Sequence, residues 1–120
     1  MKARRVPNRE VRKYVEQCFP FNNSNNTLFG DWKRNLFVVW SYGSHWPLFI
    51  YDPASDKWFE NITPSSPTTS RHRSQAAPWR DANGQEIDTL DRDVHWMRRC
   101  IETNGAGIKE ELLLSSLPLC

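Results

Sequence analysis

The stretch Leu36-Phe37-Val38-Val39-Trp40-Ser41-Tyr42-Gly43-Ser44-His45-Trp46-Pro47-Leu48-Phe49-Ile50-Tyr51-Asp52-Pro53-Ala54-Ser55-Asp56-Lys57-Trp58-Phe59-Glu60-Asn61-Ile62 decides the fold. It is aromatic and β-branched, with turn signals at regular intervals, which is the pattern of an antiparallel meander. Leu36 to Tyr42 reads as one strand and Gly43-Ser44 as the turn that follows. Trp46 to Tyr51 reads as the next strand, with Pro47 confining it to an edge or marking its first residues. Asp52-Pro53-Ala54-Ser55-Asp56 is a second turn, its proline pre-setting φ. Lys57 to Ile62 completes three strands, and Leu28 to Trp32 supplies a candidate fourth ahead of them.

Alternation puts Leu36, Val38, Trp40, Tyr42, Trp46, Leu48 and Ile50 on one face and Phe37, Val39, Ser41, Phe49 and Tyr51 on the other. Ten of the chain's 15 rings lie between Phe29 and Phe59. Two helices can cover one face of so small a sheet, which leaves the rings of the second face to meet a loop, the tail, another subunit or a partner.

Upstream, Val11, Tyr14, Val15 and Cys18 recur at helical spacing behind Asn8 as N-cap, predicting a helix over 9–18. Pro20 and the asparagine-rich run Asn22-Asn23-Ser24-Asn25-Asn26 stop it. Downstream, residues 63–84 contain Pro64, Pro67 and Pro78 among Ser, Thr and Arg, and read as a basic loop or extended arm. Ile87, Leu90, Val94, Met97 and Ile101 then recur at intervals of three and four, predicting a long helix over 86–104 that stops at Gly105. Residues 105–120 form a tail, with a short helical turn over Ile108 to Leu114 and a frayed end. The expected architecture is one α+β domain over 1–120. It has a small antiparallel meander of three to four strands, an N-terminal helix and a long C-terminal helix, both helices packed on one face.

With 120 residues the chain has room for one core and excludes a large multi-part enzyme. Its apolar runs fall far short of the roughly 20 residues a spanning helix needs, so no membrane partner is expected. Val6-Pro7-Asn8-Arg9-Glu10 stands where a signal peptide would have its apolar segment, which argues against export. Cys18, Cys100 and Cys120 make an odd set without a close pair, which fits a reducing cytoplasm and buried apolar roles better than disulfides. Neither a Cys-x-x-Cys nor a closely spaced His pair occurs, so no metal and no cofactor are expected. The net charge of +2 is unevenly spread: +4 over residues 1–20, −1 over 21–60, +3 over 61–80 and −4 over 81–120.

Thr68-Thr69-Ser70-Arg71-His72-Arg73-Ser74-Gln75 concentrates guanidinium groups, an imidazole and hydroxyls, all suited to phosphate or carboxylate oxygens. The plainer reading is a solvated basic loop, stitched to the sheet through its hydroxyls. The candidate contact residues are Arg71, His72, Arg73, Ser74 and Gln75, with Tyr42 and His45 from the first hairpin and Arg4 and Arg5 from the N-terminus. His45, His72 and His95 fall in no nucleophile elbow or phosphate-binding loop, so no catalytic residue is assigned.

The ordered motifs Val6-Pro7-Asn8-Arg9-Glu10-Val11-Arg12-Lys13-Tyr14-Val15-Glu16, Val38-Val39-Trp40-Ser41-Tyr42-Gly43-Ser44-His45-Trp46-Pro47-Leu48-Phe49-Ile50-Tyr51-Asp52, Trp58-Phe59-Glu60-Asn61 and Thr68 to Gln75 together resemble a family of short phage and prophage proteins of uncharacterised function. The resemblance spans about residues 4–78 and supplies no catalytic residues. It implies a small cytoplasmic protein made by a mobile element in a bacterial host. Proteins of that size and origin resemble host-defence inhibitors, anti-CRISPR proteins among them, which bind and block. The expected function is therefore a non-enzymatic inhibitor that binds a host protein, with a CRISPR-type defence component as the candidate target. A DNA mimic is disfavoured because the chain is slightly basic overall, although residues 81–93 offer an acidic local face. The alternative is a small nucleic-acid-binding module that uses the basic loop and the N-terminal arginines.

Overall fold

A computed structural model describes residues 3–43 and 45–116. Ser44 of the first expected turn and the end of the tail, 117–120, lie outside the described residues. Seven strands form one sheet: β1 (Arg4–Val6), β2 (Phe21–Asn23), β3 (Leu28–Lys33), β4 (Leu36–Ser41), β5 (Pro47–Asp52), β6 (Lys57–Asn61) and β7 (Thr89–Arg92). They lie side by side in chain order. The successive pairs from β2 to β6 are antiparallel, whereas β1 runs parallel to β2 and β7 parallel to β6. A parallel neighbour needs a crossover rather than a hairpin. Helix α1 (Val11–Glu16) makes the first crossover and α2 (Pro67–Ala76) the second. Helices α3 (Val94–Glu102) and α4 (Ile108–Ser116) follow β7.

Each face of the sheet has its own core. Val11 and Val15 of α1 and Ala76 of α2 pack on Phe21, Phe37, Val39, Phe49 and Trp58. Met97 and Cys100 of α3 and Ile108 of α4 pack on Leu36, Val38, Trp40, Ile50 and Phe59. Strand β4 is buried at all six positions, as a strand covered on both sides must be. Most of the rings on both faces are thus core, and the second face is covered by helices of the same chain.

This overturns the α+β expectation of a three- to four-stranded meander with a long C-terminal helix: the fold is mixed α/β, with seven strands and four helices among the described residues. Three local causes account for the difference. Where a loop is expected over 63–84, Ser66 caps α2 by accepting a hydrogen bond from the Thr69 amide, and Pro67 stands at the first helical turn, where its missing N–H costs nothing. The period read over 86–104 merges two elements. Leu90 pairs with Phe59 inside β7, and the Asp93 carboxylate then caps α3 through the Trp96 amide. At the N-terminus the helix is shorter than 9–18, a 3-10 turn over Asn8–Glu10 leading into α1. Asn8 caps nothing. Its side-chain oxygen accepts instead from buried Asn23, whose own oxygen takes the Thr27 and Leu28 amides and so fixes the β2–β3 turn.

Candidate functional site

Helix α2 carries most of the residues singled out in the sequence, and it divides them. His72 is 4% exposed, with Nδ1 2.8 Å from the Ser41 hydroxyl at the end of β4. Ser41 also donates to Thr69 Oγ1 at 3.3 Å, and the Tyr42 ring lies over the imidazole at 5.5 Å between centroids. Burial, assisted by the charge of Arg71, holds the His72 pKa below its usual value and keeps the ring neutral. Ser41 is fully buried, so its hydroxyl is sealed from any substrate. Ser41 and His72 act as a joint that pins α2 to the sheet.

Arg73 is equally committed. Its Nε meets Glu60 Oε2 at 3.0 Å and a terminal nitrogen donates to the Asn61 carbonyl, both on β6. The Ser74 hydroxyl donates to the Ser70 carbonyl, while its own carbonyl accepts from Arg12. Gln75 has a buried side-chain oxygen without a partner. Arg71 alone of this group is exposed and free of side-chain partners among the described residues. Elsewhere, Tyr42 is exposed at a positive φ of 57°. His45 offers its carbonyl to the Arg98 guanidinium at 2.7 and 3.0 Å. Arg4 is exposed on edge strand β1, and Arg5 reaches the Ser24 carbonyl and the Asn26 side chain of the β2–β3 turn. The structure brings Tyr42, Arg71 and His72 to one end of β4. Of the basic residues, His72 is buried, Arg73 is paired with Glu60 and Arg5 reaches the β2–β3 turn, which leaves Arg4 and Arg71 exposed without a side-chain partner among the described residues.

An extensive concave feature lies elsewhere. A groove of about 990 Å³ opens between the end of α1, the turn joining β5 and β6, and the loop 81–88. Its lining draws Cys18 and Phe19 from the segment after α1, Trp32 from β3, Tyr51 from β5 and Trp58 from β6. Tyr51 and Trp58 are neighbours across the β5–β6 register with ring centroids 5.1 Å apart. The Tyr51 hydroxyl donates to Asp56 Oδ1 at 2.7 Å, and burial together with this carboxylate pushes its pKa upward. Trp32 is 41% exposed and is oriented by its indole N–H on the Cys18 carbonyl at 3.1 Å and by edge contact with Phe37. Burial pushes the Cys18 thiol up to about 12, so it stays protonated and unreactive at neutral pH.

The charged lining is one-sided: Glu16, Asp56, Asp81, Glu86 and Asp88 face a single cation, Lys57. Three of the carboxylates also shape the walls. Glu16 accepts the Trp79 and Arg80 amides at 2.6 and 2.9 Å, drawing the segment after α2 onto α1. Asp81 accepts the Asn83 and Gln85 amides and closes its loop, and Asp56 holds Tyr51. Glu86 and Asp88 are exposed with no side-chain partner among the described residues.

Comparison of the chain with protein-family models, with curated proteins and with solved structures finds no match. The site therefore rests on its own geometry. Among the described residues no three His, Cys, Asp or Glu side chains converge in a way that could hold a metal ion. No helix among them is long and apolar enough to cross a membrane. Reading the sequence does not find the groove, because its lining comes from four separated segments with no shared motif. The two traces it leaves are the ring density of 29–59 and the acidic bias of 81–93.

Proposed function

We propose that this chain is a non-enzymatic protein of a phage or related mobile element that binds and inhibits a host protein in the bacterial cytoplasm, with a CRISPR-type defence component as its target. The groove lined by Phe19, Trp32, Tyr51 and Trp58 is its contact surface. The observation that carries this reading is the groove itself: the exposed rings of Phe19 and Trp32 and the part-buried ring of Tyr51 line a concavity of about 990 Å³ beside the core ring of Trp58, in a fold most of whose other rings are consumed by two cores. Large amphipathic rings in a pocket are the usual anchors of protein interfaces. The resemblance to short phage proteins supplies the context. With Ser41 and His72 both buried, that pair offers no accessible nucleophile in support of an enzymatic reading. The nucleic-acid alternative draws little from this arrangement, because His72 is buried and Arg73 is paired with Glu60.

The test is affinity capture from nuclease-treated host lysate with wild type and with Trp32→Ala. A specific host protein retained by wild type and lost from the variant is the expected outcome. Recovery of nucleic acid alone, or of the same protein equally by both, overturns the reading.

A further inference from the structure

We infer that the groove's occupant is a lysine- or arginine-bearing segment of the partner protein, its cationic group seated against the Trp32 and Tyr51 rings and ringed by carboxylates. The inference rests on the protein-binding reading and adds the chemistry of what is bound. Five carboxylates against one ammonium group give the concavity a negative potential that attracts cations and repels nucleic acid and acidic peptides. A purely apolar segment is a poor fit, since covering Glu86 and Asp88 would strip their water and return no partner. These two carboxylates have no side-chain partner within the described residues and stand ready for an incoming cation.

The rings supply the second half of the recognition. The part-buried Tyr51 ring lines the groove with the core ring of Trp58 packed against it at 5.1 Å, and aromatic faces attract ammonium and guanidinium groups through their quadrupoles. The hydroxyl bond from Tyr51 to Asp56 ties the ring to a negative charge. That bond also holds the Asp56 carboxylate beside the ring, so cation–π attraction and ion pairing act on the same point. Trp32, 41% exposed and fixed by its bond to the Cys18 carbonyl, adds a second ring without having to be ordered on binding.

The experiment titrates the full chain with an eight-residue peptide of alternating Lys and Gly and with its Glu-Gly counterpart, followed by calorimetry and by the indole N–H signals of the tryptophans. The Lys-Gly peptide is expected to bind and to shift the Trp32 signal, whereas the Glu-Gly peptide does not bind. The triple variant Asp56→Asn, Glu86→Gln, Asp88→Asn should weaken the Lys-Gly peptide by about 10-fold or more, as should raising the salt from about 50 to about 500 mM. Asparagine tolerates the positive φ of 53° at position 56 and can still accept from Tyr51, so the triple variant should retain its wild-type circular dichroism. Equal binding of both peptides, no binding of either, or Lys-Gly binding unchanged in the triple variant overturns the inference. A host protein whose capture is lost in Trp32→Ala but unaffected by the triple variant overturns it too, while leaving the protein-binding reading in place.

Discussion

Replacing Gly30 with alanine tests how tightly the α1/α2 side of the sheet is packed. Gly30 sits mid-strand on β3, in register with Phe21 on β2 and Val39 on β4. A Cβ added there falls 2.5 Å from Phe21 Cε1, 3.2 Å from Phe21 Cδ1 and 3.1 Å from Phe37 Cζ. Carbon atoms rest at about 3.5–4.0 Å, so the Phe21 ring must retreat by about 1 Å and the Phe37 ring by about half that. Both rings are fully buried, so either movement must displace other core side chains. Overpacking of this kind costs about 1–3 kcal/mol, against about 0.4–1 kcal/mol gained from restricting the unfolded chain. The net expectation is a destabilisation of about 1–2 kcal/mol. In urea unfolding followed by tryptophan fluorescence, with a slope of about 1–3 kcal/mol/M, the midpoint should fall by about 0.5–1 M with the slope unchanged. In a Phe21→Leu background the same Gly30→Ala change should cost about 1 kcal/mol less, because the clashing ring is gone. An unchanged or raised midpoint in the single variant, or the same cost in both backgrounds, would refute the packing argument.

Two further outcomes follow from α2. The folded protein holds His72 neutral by lowering its pKa below the ordinary 6.5, so below that pH the unfolded chain takes up a proton that the folded one refuses. Stability attributable to this residue therefore rises with pH in that window, by up to about 1.4 kcal/mol per pH unit, and levels off above it. Wild type should lose more stability than His72→Asn between about pH 7 and pH 5, and parallel curves would contradict the buried-neutral assignment. Arg73→Ala, which breaks the part-buried pair with Glu60 and the bond to the Asn61 carbonyl, should cost about 1–2 kcal/mol in the same urea assay. Arg71→Ala should stay within about 0.5 kcal/mol, and equal costs would mean that the two arginines are not divided as described.

How much of this was legible in the sequence depended on whether the signal was local. The strands from Leu28 to Asn61 could be read because alternation, β-branching and turn residues agree there, and the Asp52 carboxylate holds the turn by accepting from the Ala54 amide and the Ser55 hydroxyl. Strands β1 and β2 have three residues each, too few to show a period. Helix α2 buries only Thr69, His72 and Ala76 and has no apolar stripe, so periodicity passes over it. Its Ser66-Pro67 start was the available clue. At Ile87 and Leu90 the helical spacing is a coincidence across a boundary, which Asp93 as an N-cap followed by Val94 could have placed. The residues proposed as a basic contact surface were chosen for chemical type alone. Burial and pairing decide which of them meet solvent, and neither is visible in one dimension.

The order of the strands across the sheet has a kinetic consequence. Because β1 to β7 lie in chain order, every strand forms its ladder with a chain neighbour, and no pairing must wait for a distant segment. Loop closure is then a series of short searches, the condition under which β-containing domains fold fast for their size. The two slower steps are the parallel additions of β1 and β7 through α1 and α2, and they occur at the margins, after the five-stranded meander can already be in place. Both margins carry charge, Arg4 and Arg5 on one side and Asp91 and Arg92 on the other, which discourages a second chain from extending the ladder while the covering helices dock. The protection arrives with those last additions: until β1 docks, the uncharged Phe21-Asn22-Asn23 strand is an open edge, and the completed sheet replaces it with a charged one.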